Sequence, residues 1–133
     1  MAETLKLKLD EFKKALATLE EALAAPKSTI VRDSAIKRFE YTFELAWKSA
    51  KVLLEERFGV QVFSPKECFR ELRVNGLVSD EDDELLLQLT DDRNEVIHTY
   101  NEAFANELYE AIATRYAALL RNLYVVLMKT AVI

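Results

Sequence analysis

Apolar positions along this chain recur three and four residues apart almost throughout, which is the period of helices packed on one face. Leu5, Leu9, Phe12, Leu16, Leu19 and Leu23 are spaced 4, 3, 4, 3, 4 and predict a helix from about Glu3 to Ala25, stopped by Pro26. Ser28 or Thr29 can cap a second helix that runs to about Phe58, where Gly59 offers a left-handed end. Its core stripe is Phe39, Phe43, Ala46, Ala50 and Leu53. Lys37, Glu40, Glu44, Lys48, Lys51 and Glu55 keep the same spacing on a stripe expected to face solvent. Tyr41, Leu45, Trp47 and Leu54 widen the apolar stripe beyond what one neighbouring helix covers. Ser64-Pro65-Lys66-Glu67 is a capping box with proline at the first helical position, opening a short helix to about Val74. Asn75-Gly76 ends it. Ser79 caps a fourth helix that begins Asp80-Glu81-Asp82-Asp83-Glu84. A fifth is expected from Asn101 or Glu102 to about Lys129, with Phe104, Leu108, Ile112, Tyr116, Leu119, Leu123 and Val126 inward. The expectation is an all-α, up-and-down bundle of about five helices in one domain spanning residues 1–133, without repeat or linker.

Composition narrows the function. Of 133 residues half are hydrophobic and 31% are charged, so a disordered polar chain is excluded. Two glycines and two prolines leave too few breakers for a many-turned β sandwich or barrel. There is no glycine-rich loop to cradle a phosphate. The lone thiol, Cys68, forms neither an internal disulfide nor a zinc site and suits a reducing compartment. The N-terminus lacks a signal-peptide core, and the longest apolar run, Leu123–Met128, is too short to span a bilayer. The expectation is a soluble cytoplasmic protein with no membrane partner, no metal and no cofactor.

Candidate chemistry is sparse. The acidic run Asp80–Glu84 could be read as a cation site, but acids in a first turn complement the helix dipole. Glu95-Val96-Ile97-His98 has the Glu-x-x-His form of di-iron bundles, which need two such motifs; His98 is the single histidine of the chain. Cys68 beside Phe69 reads as a small core residue. What remains is Asp91 to Glu102. In a continuous helix Arg93 shares the face of Leu86 and Leu89, where the pattern places a buried residue. A buried guanidinium needs a partner or a ligand, and Asp91, Asp92 and Glu95 are the near candidates in sequence. Arg93 and His98, five apart, lie about 140° apart on a regular helix. They meet on one ligand only if the helix breaks or a second copy contributes. A symmetric homodimer through helix two would join two Arg93 and two His98 in one cleft. There arginine offers a fork to phosphate, histidine moves protons near neutrality, and Asn94 holds a hydroxyl or water.

Arg93-x4-His98-x-Tyr100 matches the R-x4-H-x-Y motif, and the chain thereby resembles the HEPN superfamily (higher eukaryotes and prokaryotes nucleotide-binding). It is most similar to the nucleotidyltransferase substrate-binding proteins, related to HepT toxins. Two further blocks carry the resemblance, Phe39-Glu40-Tyr41-Thr42-Phe43-Glu44-Leu45-Ala46-Trp47-Lys48 and Ser64-Pro65-Lys66-Glu67-Cys68-Phe69-Arg70-Glu71. One departure is Leu86, where such proteins often carry tryptophan. The resemblance implies a dimeric helical bundle associated with a small, separately encoded nucleotidyltransferase. For toxins of this kind it implies metal-independent RNA cleavage at a composite site. His98 would then move protons, Arg93 stabilise the phosphorane and Asn94 position the phosphate. It also implies adenylylation of the motif tyrosine, here Tyr100, by the partner. The alternative role is a non-catalytic subunit that presents a substrate or nucleotide. A net charge of −5 gives RNA no overall attraction, although Lys37, Arg38, Arg70 and Arg73 would form a local patch if the fold gathers them.

Overall fold

A computed structural model of the chain describes residues 2–98 and 101–132, residue 98 by its backbone alone. The chain folds as α1 (Glu3–Ala24), α2 (Thr29–Phe58), α3 (Pro65–Val74), α4 (Asp80–His98), α5 (Glu102–Ala111), a π-helical turn (Ile112–Tyr116) and α6 (Ala117–Ala131). The fifth helix expected from sequence is this last continuous rod, interrupted only by the π turn. Among the described residues there is no strand, and no helix is long and apolar enough to cross a membrane.

The capping chemistry sets the boundaries. Ser28 Oγ accepts from Val31 N at 3.1 Å and starts α2. Gly59, at φ 65°, ends it in the left-handed region, with Val60 N bonded back to Leu54 O at 3.1 Å. The left-handed turn that makes this bond is open to glycine at no Cβ cost. Ser64 Oγ accepts from Glu67 N at 3.3 Å, while Glu67 reaches back to Phe63 N rather than to the cap residue itself. Ser79 and Asn101 cap α4 and α5 in the same manner.

The core forms because each helix has one apolar face to bury. α1 and α2 make an antiparallel hairpin; α2, the longest helix, also packs against α3, α5 and α6. Leu5, Leu9, Phe12, Leu16 and Leu19 from α1 meet Phe39, Phe43, Ala46, Ala50 and Leu53 from α2 in one cluster with Ile112, Tyr116, Leu120 and Leu127. The π turn keeps Ile112 and Tyr116 wholly buried while Ala113, Thr114 and Arg115 stay exposed. Of the residues widening the α2 stripe, Leu54 is fully buried, whereas Leu45 and Trp47 are half-buried and Tyr41 is exposed. Tyr41 and Leu45 border an open cleft of about 520 Å³ between α1 and α2, shared with Glu11, Lys14, Ala15, Thr18 and Glu44. Leu86 is fully buried and lines a small groove of about 80 Å³ with Leu119, Leu123 and Val126.

Candidate functional site

The second half of α4 is held on three sides by three consecutive residues. Successive helical positions turn by about 100°, so Asp91, Asp92 and Arg93 reach different neighbours. Asp91 Oδ1 meets Lys66 Nζ of α3 at 2.5 Å. Asp92 Oδ2 accepts from the Tyr116 hydroxyl at the end of the π turn. Arg93 Nη2 pairs with Glu44 Oε1 of α2 at 2.6 Å. The Tyr116 phenol is pushed up to about 12, first by burial and then by the Asp92 carboxylate it serves. It therefore remains a proton donor at any ordinary pH.

Arg93 occupies the inward position that its spacing from Leu86 and Leu89 predicts; both leucines are fully buried and its own side chain is 18% exposed. Its guanidinium carbon lies 5.0 Å from the centroid of the Phe43 ring, a cation–π placement. Nη1 donates to Asn94 Oδ1 at 3.3 Å, and Nε is buried with no hydrogen-bond partner among the described residues. The ion-pair partner corrects the sequence reading. Asp91 and Asp92 face α3 and the π turn, and Glu44, placed by its spacing on a solvated stripe, turns out to be the counter-ion. Glu44 is also bonded by Trp47 Nε1 at 3.2 Å and paired with Lys48 Nζ at 3.5 Å. The only trace of this in the sequence is that Glu44 follows Phe43, whose ring carries Arg93.

Of the candidate site residues, Arg93 and Asn94 stand side by side, Asn94 on the exposed surface. The side chain of His98, and Thr99 and Tyr100 altogether, lie outside the described residues. The backbone of α4 continues unbroken from Arg93 to His98, so position 98 sits about 140° around the axis from position 93.

The four cations proposed for a local patch are not gathered. Arg38 bonds Thr18 O at 2.7 Å on the α1 side. Arg73 pairs with Asp83 at 3.2 Å and Asp80 at 3.6 Å at the start of α4. Lys37 lies near Glu40 at 3.9 Å and lines a cleft of about 240 Å³ with Asp33, Ile36, Glu40, Val96 and Ala105. Arg70 is exposed on α3. The acidic run does more than complement a dipole, because Asp83 is buried and ties α4 to Arg73 of α3. Cys68 is fully buried, as expected of a core residue, and burial pushes its thiol up to about 12. Buried Arg32 joins α2 to α5 through Asn106 Oδ1 at 3.0 Å and Glu102 Oε1 at 3.5 Å, with Asp33 Oδ1 at 3.0 Å.

A family model described as nucleotidyltransferase substrate binding protein like matches residues 7–129. No curated protein matches the sequence. The structure is similar to a crystal structure of a Thermus thermophilus protein, at 41% identity and TM-score 0.82, over 87% of this chain and 98% of that one. It is also similar to a tri-AMPylated Shewanella oneidensis HEPN toxin in complex with an MNT antitoxin. There the identity is 15% and the TM-score 0.80, over 97% of this chain and 99% of that one. A chain of the toxin–antitoxin MntA–HpeT mutant complex follows at 14% identity and TM-score 0.79, covering 96% and 99%. At those identities the last two likenesses concern the fold. With the family model spanning nearly the whole sequence and the helices arranged as in HEPN toxins, the chain belongs to the nucleotidyltransferase substrate-binding protein-like family of the HEPN fold.

Proposed function

We propose that this chain is the HEPN-type member of a two-protein module with a small nucleotidyltransferase. In this reading it cleaves RNA without metal at a site made by two copies of itself. The unbroken α4 carries the reading. Arg93 presents donors on one side of a helix whose last residue, His98, is turned about 140° from it, while Asn94, four residues before His98, lies within about 40° of that last position. One phosphodiester can then meet both Arg93 and His98 only across a two-fold axis. The apolar cleft at Tyr41 and Leu45, bordered by Glu44, offers surface for the second copy to cover. In the reaction His98 takes the proton of the ribose 2′-hydroxyl as its oxygen attacks the adjacent phosphorus, or protonates the departing 5′-oxygen. A cyclic phosphate and a 5′-hydroxyl result. Arg93 stabilises the charge on the phosphorane and Asn94 positions the phosphate.

The partner's role in this reading is control. The Shewanella oneidensis toxin of this fold is tri-AMPylated and bound to an MNT antitoxin. In the present chain the acceptor we propose is Tyr100. An AMP phosphate there would compete for the Arg93 guanidinium by charge-assisted pairing, so modification would switch the site off without unfolding the bundle.

The test is RNA cleavage by the purified chain in the presence of a chelator. Cyclic-phosphate ends are expected, with losses of about 10²- to 10⁴-fold in His98→Ala and of about 10²- to 10³-fold in Arg93→Ala. A dimer by light scattering is expected alongside. Equal residual cleavage by wild type and His98→Ala would mean contamination and leave the substrate-presenting role. Incubation with the neighbouring nucleotidyltransferase and ATP should add AMP to Tyr100, and Tyr100→Phe should lose it. A tight complex with no modified tyrosine would favour presentation instead.

A further inference from the structure

We propose that Glu44 is the positioning residue of the Arg93 centre, deciding which edge of the guanidinium is offered to a phosphate. Arginine has five donors in a rigid plane, so fixing one edge fixes the others. Here the ring of Phe43 lies against one face at 5.0 Å, and Glu44 Oε1 takes Nη2 at 2.6 Å. The other carboxylate oxygen, Oε2, is held by Trp47 Nε1 at 3.2 Å and lies 3.5 Å from Lys48 Nζ. Glu44 is thus itself anchored, one helical turn away along α2, and cannot follow Arg93 if the guanidinium swings. Nε is buried inward without a partner among the described residues. Nη1 is left as the outward donor, beside exposed Asn94.

Asn94 completes the arrangement. A guanidinium has no acceptor, so the amide oxygen of Asn94 must be the atom that faces Nη1, and its NH₂ is turned away. Two donors, Nη1 of Arg93 and Nδ2 of Asn94, then stand together at the surface, a pair matched to two oxygens of a phosphodiester. Sequence spacing assigns Glu44 to solvent. Its contacts with Trp47 and Lys48 are local to α2; the pairing with Arg93, 49 residues away, is the tertiary one that spacing does not show.

This inference rests on the RNase reading for its kinetic consequence and on geometry alone for its spectroscopic one, which lets the two fail separately. In the full-length chain, nitrogen-15 spectra of the arginine side chains should show the Arg93 Nη protons resolved, their rotation hindered by Glu44. Glu44→Ala should average them. Glu44→Asp, whose carboxylate is one methylene short of Arg93, should do the same. Glu44→Gln, which keeps an acceptor of the same reach, should preserve them. In RNA cleavage Glu44→Ala should lower kcat by about 10- to 100-fold through misplacement, with KM within about threefold, and Glu44→Gln should restore most of kcat. Backbone amide spectra unchanged outside α2 and α4 exclude simple unfolding. If wild type cuts no RNA, the RNase reading falls, and the spectra still decide the role of Glu44. Resolved Arg93 Nη signals in Glu44→Ala, or equal kcat in Glu44→Ala and wild type, would overturn the proposal.

Discussion

Replacing Tyr116 by phenylalanine isolates one hydrogen bond that holds the motif helix in place. The ring is fully buried and stacked on Phe39, with centroids 5.9 Å apart and planes 16° from parallel. Phenylalanine preserves that packing and removes only the hydroxyl that donates to Asp92. A hydrogen bond to a charged group contributes about 1.5–3 kcal/mol. Asp92 is half-buried and regains water when its donor is lost, so the lower end applies, about 1.5 kcal/mol. With about 2.1 cal/mol/K of unfolding entropy per residue over 133 residues, the melting temperature falls by about 5 °C. The pH dependence supplies a second, independent signature. The phenol titrates near 10 when unfolded and is pushed up to about 12 in the fold by burial and by Asp92. Because the folded value lies above the unfolded one, the stabilisation is fully present below pH 10 and is lost as pH rises from 10 towards 12. Two pKa units correspond to at most about 2.7 kcal/mol, discounted to roughly half because the hydroxyl points to a half-buried carboxylate. Urea unfolding of wild type and Tyr116→Phe at one protein concentration should therefore show a gap of about 1.5 kcal/mol at pH 7 that closes towards pH 12. A gap below about 0.5 kcal/mol at pH 7, the low end for a neutral hydrogen bond, or one that stays constant with pH, would refute the assignment of Asp92 as the acceptor.

Gly59→Ala should destabilise the chain by about 1 kcal/mol. A Cβ there meets nothing within 4 Å, so the cost comes from the positive φ alone; an unchanged urea midpoint would contradict it. Cys68, buried and with its thiol pushed up to about 12, should resist Ellman's reagent at pH 8 in the native chain and react fully in denaturant. Rapid native labelling would place it outside the core. Asp83→Ala should cost about 1–2 kcal/mol by releasing Arg73, which stays partly solvated and near Asp80. A loss confined to local opening of α3, seen by amide exchange with no change in global stability, would show that the clamp holds the edge rather than the bundle.

The sequence determines the helices because helix formation on an apolar face is a local matter. Three- and four-residue spacing says which side of each segment turns inward, Pro26 and Gly59 say where two of them end, and Ser64 and Ser79 cap α3 and α4 where their signals fall. The structure chooses Ser28 over Thr29 for α2 and makes Asn101, expected only near the start of the fifth helix, its cap. The same pattern places Arg93 inward with Leu86 and Leu89. The R-x4-H-x-Y signature, as short as it is, is also legible without coordinates. What spacing leaves undetermined is which helix lies opposite, since every amphipathic face looks alike from its own chain segment. Arg93 pairs with Glu44, 49 residues away, and Asp92 with Tyr116, 24 residues away; the nearer acids in sequence point elsewhere because successive helical residues turn by about 100°. The π turn Ile112–Tyr116 takes in an extra residue through its i→i+5 bonds, and the sequence carries it as the run of four-residue spacings from Phe104 through Leu108 and Ile112 to Tyr116, with no glycine or proline to mark it. Whether cations cluster is likewise a tertiary property, and here Arg38 and Arg73 are drawn to different helices by different acids. Local periodicity decides what each helix buries; only the packing of helices against one another decides which charges meet.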